Sequence, residues 1–402
     1  MHIVIAGNGV SAITFLKEIK RESKNVEIDV FSEEARPFYW RPRLIEVMAN
    51  EASIEEITPY DEKWYEEHNA KLHLSESIVE IDTKNKKAKT SKGNIVEYDA
   101  FIFANGAKPF LLPVPGNDLK NVYTIRTYED VEKIKSHYGK SNKFVIIGGG
   151  VLGIETAAAL NRAGEKEVSI VEFFPYLLPR QLDKPGAFVL KEVLERKYPL
   201  KFLLGKATSR IVGSDKVKGV EFSDKTSVKA DVVIFSTGVR PNVEVAKKAG
   251  IKVEKGIVVD DTLKTNVDDV YAIGDVAQHK GRVYGIVPPA VEQARTLAKI
   301  LFSDEKVKYE GSIMANTLKV AGVDLLSVGK IDPDSGNVIF SSQGDTNKGL
   351  YKKVVVEDGS FVGVVSVGID KKSAFKLKKL VDEKKEPTSS IFQYVKFDDE
   401  EE

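Results

Sequence analysis

The sequence predicts an α/β fold: two Rossmann-like domains, the first discontinuous along the chain, followed by a C-terminal α+β domain. Three observations carry that expectation. Two glycine-rich turns, Gly7-Asn8-Gly9 and Gly148-Gly149-Gly150, each end an apolar strand and open a helix. Each is followed by a second strand that closes on an acid, Glu33 in the first copy and Glu172 in the second. From Gly311 onward the strand–helix alternation gives way to four strand-like runs and one helix. Glycine lets the backbone turn tightly and approach a pyrophosphate, whose charge then meets the N–H groups at the helix start. A carboxylate ending the second strand accepts hydrogen bonds from a ribose diol. One such fingerprint is weak evidence. Two in matching contexts predict two dinucleotide-binding domains.

The elements follow in order. His2-Ile3-Val4-Ile5-Ala6 is an apolar strand, and Val10-Ser11-Ala12 leads into the first helix. Val26 to Phe31 is the second strand, residues 52–70 read as a partly exposed helix, and short strands lie near Leu72–Ser75, Ile78–Ile81 and Lys86–Thr90. The strand Tyr98 to Ala104 ends on Asn105-Gly106, and the proline-rich piece Pro109 to Gly116 reads as a linker. In the second copy Phe144 to Ile147 is the strand, and Val151-Leu152-Gly153 opens an alanine-rich helix. Val168 to Val171 leads to Glu172, and Asp231 to Ser236 ends on Thr237-Gly238. Val270 to Ile273 ends on Gly274-Asp275, and a helix follows Pro288-Pro289, where proline suits a first turn. Beyond Gly311, Val320–Val328, Asn337–Ser342, Tyr351–Glu357 and Phe361–Val367 are strand-like and Lys372–Lys384 is helix-like. The expected division is 1–112 and 243–310 for the first domain, 113–242 for the second, 311–386 for the third, and an acidic tail over 387–402.

The 402 residues carry 60 Lys plus Arg against 60 Asp plus Glu, so nothing draws the chain as a whole to nucleic acid or an anionic membrane. No apolar run approaches the roughly 18 residues of a membrane helix, and residue 2 already enters a strand; a cytoplasmic protein is expected. The chain has no cysteine, which excludes disulfides, cysteine-ligated iron–sulfur or zinc sites, and thiol catalysis. Its five histidines, at 2, 68, 73, 137 and 279, show no metal-ligand spacing, and no metal site is expected.

Five segments in this order resemble the two-dinucleotide flavoprotein family that includes the pyridine-nucleotide disulfide reductases: the first glycine turn, Phe103-Ala104-Asn105-Gly106, the second glycine turn, Phe235-Ser236-Thr237-Gly238, and Tyr271-Ala272-Ile273-Gly274-Asp275. The resemblance covers essentially the whole chain. It implies FAD on the first unit and NADH on the second, with Asp275 at the flavin's ribityl-phosphate side and Glu33 at its adenosine ribose. Pro37-Phe38-Tyr39-Trp40-Arg41-Pro42-Arg43-Leu44 and Leu318-Lys319-Val320-Ala321-Gly322-Val323-Asp324 are similar to segments of NADH–rubredoxin oxidoreductases. The second pattern is shared with the flavin module of assimilatory nitrite reductases. The missing cysteine near positions 45 to 50 sets the chain apart from disulfide reductases, and Glu46 stands where ferredoxin reductases of dioxygenase systems carry lysine.

The expected site follows. The cofactor contacts are Gly7, Gly9, Val10, Ser11, Ala12, Glu33, Arg41, Ala104, Asn105, Gly106, Gly274 and Asp275 for FAD, and Gly148, Gly150, Val151, Leu152, Gly153, Glu172, Thr237 and Gly238 for NADH. A helix starting at Ala290-Val291 would turn its positive end to the flavin's pyrimidine edge. Arg43 supplies positive charge near the ring, and Glu155, the helix glutamate that relatives pair with a base beside the flavin, takes Arg43 as partner. At about 4 Å and an effective dielectric near 20, each unit of like charge costs about 4 kcal/mol, so Glu172 favours NADH over the 2′-phosphate of NADPH. Phe38, Tyr39 and Trp40 read as packing under a loop. The lysines at 371, 372, 376, 378, 379, 384 and 385 read first as a solvated face and second as a dock for an acidic partner. The function expected is a flavoprotein passing electrons from NADH to a small iron protein of the rubredoxin type. The flavin component of a nitrite reductase system, an oxygen-using NADH oxidase and an NADH-sensing flavoprotein switch stand as alternatives. Homodimerisation stays open.

Overall fold

The computed structural model describes residues 1–22, 26–140, 143–165, 167–303, 305–312, 315–331 and 338–397. The acidic run 398–402 lies outside them.

Two parallel five-stranded sheets repeat one plan. In the first, the order across the sheet is Val270–Ala272, Ala100–Phe103, His2–Ala6, Glu27–Phe31 and Ala70–His73. In the second it is Leu200–Leu204, Glu167–Glu172, Lys143–Ile147, Val232–Phe235 and Val122–Thr124. Parallel strands are covered on both faces and so read as unbroken apolar runs; Ala100–Phe103 and Val232–Phe235 are buried throughout. In each sheet the strand before a glycine turn is central, with the second strand on one side and a later strand on the other. That places each turn at the point where strand order reverses, the usual site for a ligand beyond the carboxyl ends of an open sheet. The strand Val270–Ala272 brings the chain back to the first sheet after the second is complete. Among the described residues no helix is long and apolar enough to cross a membrane.

The C-terminal sheet is antiparallel, in the order Ala315–Val320, Val323–Gly329, Ser360–Val367, Leu350–Glu357 and Val338–Asp345. Its two faces have different neighbours. Val323, Leu325, Tyr351 and Val365 join the core around Leu190 and Leu194 of helix Lys184–Lys197. Leu326, Val354 and Phe361 pack under Ala374 and Leu377 of helix Lys371–Asp382. The sheet is keyed to the second domain by Asp183, which caps helix Lys184–Lys197 through Gly186 N–H (3.2 Å). The same carboxylate accepts from Tyr351 Oη (2.7 Å) and pairs with the buried Lys353 ammonium at 3.0 Å.

Three local readings change. Residues 52–70 hold only the 3-10 turn Glu55–Ile57 and the short helix Glu62–Glu66 before a strand begins at Ala70. Pro59 disfavours a helical residue before it, and Asp61 restarts the helix by accepting from Trp64 N–H. The apolar run 320–328 is not one strand: Val320 pairs with Val323, so Ala321-Gly322 is a two-residue hairpin turn. The flavin-facing helix expected to start at Ala290-Val291 begins at Val287 instead, with Ala290 buried in its second turn. Pro288 and Pro289 fit the first turn and bring no N–H, which leaves fewer open donors at that end than expected.

Candidate functional site

Each glycine turn is shaped by the strand beside it. Gly7 has φ +109°, its N–H donates to Phe31 O (2.8 Å), and a Cβ there would fall 2.3 Å from Ala104 O. Gly148 repeats this with φ +121°, a 2.8 Å bond to Val171 O, and a Cβ 2.2 Å from Ser236 O. The third position of each turn meets open space: a Cβ on Gly9 or Gly150 would touch nothing within 4 Å. Helices Val10–Glu22 and Val151–Arg162 start at that open side. Gly153 lets the second helix close on its turn, since a Cβ there would lie 1.9 Å from Gly148 O. Leu152 at this helix start is exposed.

Around the first turn the ends of three strands converge. Gly274 is pressed against Ser11, whose Oγ would lie 2.2 Å from an added Cβ. Its N–H donates to Gln293 Oε1 (2.7 Å). Asn105 and Asn242 hold each other reciprocally, Asn105 Nδ2 donating to Asn242 O (3.0 Å) and Asn242 Nδ2 to Asn105 O (2.7 Å). This clasp ties the two domains beside the strand pair Ala107–Pro109 and Val239–Pro241.

Two guanidinium groups also face this region. Arg41 pairs with Glu34 (2.6 Å) and donates to the Arg126 carbonyl. Arg126 reaches Asp275 Oδ2 at 3.5 Å and would sit 3.3 Å from a Cβ on Gly106. Burial, and next the positive charge of Arg41, push the Arg126 guanidinium below the ordinary arginine value, with Asp275 pulling the other way. An anion between these arginines would relieve that repulsion. Arg126 escapes sequence reading because no motif surrounds it. It precedes the Thr127–Asp130 capping box of helix Tyr128–Lys135, and only the fold brings it to Asp275.

Other expected residues are placed differently. Arg43 does not reach Glu155. Its Nε and Nη2 are held by Glu46, at 2.9 and 2.6 Å to Oε2. The 3-10 turn Arg41–Arg43 runs into helix Leu44–Met48, so residues three apart share a face and pair locally. Glu155 Oε1 instead accepts from Ala321 N–H (2.8 Å). Glu172 is buried and turned inward, one oxygen accepting from Gly149 N–H (2.6 Å), the other from Phe174 N–H (2.8 Å). It directly follows Val171, the partner of Ile147, whereas Ser32 holds the matching place after Phe31 and Glu33 stands exposed one residue on. The two acids are therefore not equivalent. Thr237 spends its hydroxyl on Phe110 O, leaving backbone for a cofactor. Phe38 and Tyr39 are buried as expected, whereas Trp40 is exposed and meets the Phe38 ring edge-on. The lysine helix covers the C-terminal sheet face opposite the second domain's core, and Lys378 and Lys379 already pair with Asp382 and Glu383.

Two family models match this chain. That of the pyridine nucleotide-disulphide oxidoreductases matches residues 1–294, and that of the rubredoxin NAD+ reductase C-terminal domain matches 315–385. The chain belongs to the pyridine nucleotide-disulphide oxidoreductase family. It is 38% identical over 367 residues to the NAD(P)H nitrite reductase of Bacillus subtilis, covering 91% of this chain and 45% of that one. It thus spans about half the length of that curated relative. It is 31% identical over 389 residues to the NADH-rubredoxin oxidoreductase of Clostridium acetobutylicum, covering 95% of both. The solved structure of NADH:rubredoxin oxidoreductase from that organism is similar with a TM-score of 0.81 at 30% identity, over 97% of each chain. The family uses FAD and NAD(P)H. The first turn fits such a group. Among the described residues, buried Asn8 Nδ2 and Asn105 Oδ1 have no protein partner; Asn8 belongs to the turn itself, and the Asn105 backbone would lie 2.6 Å from a Cβ on Gly7. Buried polar atoms of this kind are rarely left unmatched.

Proposed function

We propose that this protein transfers hydride from NADH to FAD and passes the electrons on to a small iron protein of the rubredoxin type. The observation that carries this reading is the match of residues 315–385 to the rubredoxin NAD+ reductase C-terminal domain, joined to similarity along nearly the whole Clostridium protein. The chain's lack of cysteine agrees with it, since no thiol is available to relay electrons.

FAD, when bound, supplies the conversion of a hydride into electrons released singly. The residues of this chain bind and shape. Arg41 and Arg126 would hold the pyrophosphate with the open side of Gly9, and Asp275 the ribityl side. The positive end of helix Val287–Phe302 would stabilise negative charge on the reduced ring. Gly150 and Thr237-Gly238 offer backbone to NADH. Glu172 sets the preference for NADH by its charge, although its oxygens are already engaged.

A second reading, the flavin component of a nitrite reductase system, is favoured by the higher identity to the Bacillus nitrite reductase. Anaerobic NADH-driven reduction of rubredoxin, followed at its visible band, separates the two. Many turnovers per second support the first reading. Rapid flavin bleaching without rubredoxin turnover rejects it and leaves the nitrite-reducing partner to be tried.

A further inference from the structure

The turn that breaks the run 320–328 does more than close a hairpin. Val320 pairs with Val323, and the two residues between have φ +48° at Ala321 and +80° at Gly322, the left-handed pair of a type I′ turn. Glycine and asparagine take the first of these positions freely, alanine only at a cost. The buried Ala321 is held there by its neighbours through both of its backbone polar groups. Its N–H donates to Glu155 Oε1 at 2.8 Å. Its carbonyl accepts from Lys197 Nζ at 2.9 Å and from the buried Tyr198 hydroxyl at 3.1 Å.

Three parts of the chain meet at this point. Glu155 lies one turn into helix Val151–Arg162, which starts on the second glycine turn. Lys197 and Tyr198 end helix Lys184–Lys197, and Arg162 pairs with Glu51 of the first domain at 2.7 Å. Ala321 comes from the third domain. Residue 155 thus belongs to the nucleotide-binding helix, yet the atom that orients its carboxyl is a backbone nitrogen from elsewhere.

We propose that the Ala321–Gly322 turn is the positioning partner of Glu155, so that the C-terminal domain completes the site at the start of the second nucleotide helix. This rests on the reading of Glu155 as the helix glutamate that lies beside the flavin. Burial raises the Glu155 carboxyl above its ordinary value, while Ala321 N–H, Arg162 and Lys197 draw it down and Glu51 pushes it up. Loosening the turn removes one of the lowering contacts, so the direction of the effect follows.

Tyr198→Phe deletes one donor to the Ala321 carbonyl without changing charge. In the holoenzyme, anaerobic stopped-flow reduction of the flavin by NADH should bend with pH at one apparent pKa that vanishes in Glu155→Gln. In Tyr198→Phe the bend should move up by about half a pH unit, roughly a threefold change in proton affinity. The melting midpoints give a readout independent of turnover: the shifts of Glu155→Ala, which removes the acceptor for Ala321 N–H, and Tyr198→Phe should not add in the double variant. Should Tyr198→Phe fail to fold, Gly322→Ala serves, since its Cβ would fall 2.2 Å from Lys197 Nζ and displace the second donor. An unmoved bend with additive midpoints overturns the proposal alone. A profile without any Glu155-dependent bend overturns the functional reading of Glu155, and the proposal with it.

Discussion

The two glycine turns share a backbone and differ in charge. Gly7 and Gly148 face a strand carbonyl in the same way, and Gly9 and Gly150 open onto the same free space. Side chains make the contrast. Two arginines that repel one another stand at the first turn, with unmatched buried amide atoms beside them. At the second, Glu172 already occupies the Gly149 N–H that a phosphate or ribose oxygen would seek. On the function proposed above, one scaffold would serve two ends: the first turn to keep an anionic dinucleotide, the second to admit one and let it go.

The strongest way to break this comparison is to destroy one turn and keep the other. Gly153→Val drives a side chain into Gly148 O, and NADH-dependent flavin reduction should fall by at least about a hundredfold while FAD stays bound. Next in size is Arg126→Met. A charge-assisted hydrogen bond is worth about 1.5–3 kcal/mol, so the FAD dissociation constant, read by flavin fluorescence, should rise between ten- and a hundredfold. NADH binding should not change. Glu172→Ser sharpens the second turn. The ratio of kcat/KM for NADH over NADPH should drop by roughly ten- to a hundredfold once the like-charge cost is discounted for screening. The same variant should melt lower, because Gly149 and Phe174 lose a buried acceptor.

Smaller effects test the surroundings. The Glu155 carboxyl is raised in the folded protein, chiefly by burial, so folding favours its protonated form. Its stabilising share is complete below the unfolded value and is lost as pH rises through the folded one. Glu155→Gln, which can still accept from Ala321 N–H, should melt above wild type at pH 7, with the gap closing toward pH 4. Arg43→Ala should matter least. Its partner Glu46 is nearly as exposed as it is, and such pairs contribute about 0–1 kcal/mol. Flavin reduction should stay within about twofold of wild type, and a larger loss would restore Arg43 to the site.

What the sequence made legible was backbone chemistry. Gly7, Gly148 and Gly274 stand where no side chain fits, and such positions announce themselves as glycines after apolar strands. The parallel sheets were legible for a related reason, since strands buried on both faces must be apolar throughout. The charges were not. Arg126 faces Asp275 across 149 positions of sequence, and no local pattern marks such a pair. Glu172 turns inward because the bend after it aims Phe174 N–H at its carboxylate, a geometry that composition does not encode. The Ala321 turn was hidden by apolar neighbours on both sides, which read as one strand until Val320 is seen to pair with Val323.

The central claim is that the first turn retains its dinucleotide and the second exchanges its own. Calorimetric titration of FAD into the apoprotein, and of NADH into the oxygen-free holoprotein after flavin reduction, measures both sites on one scale. The account predicts one FAD per chain held at least about a hundredfold more tightly than the nicotinamide nucleotide. Comparable affinities, or FAD affinity that survives Arg126→Met intact, would contradict it.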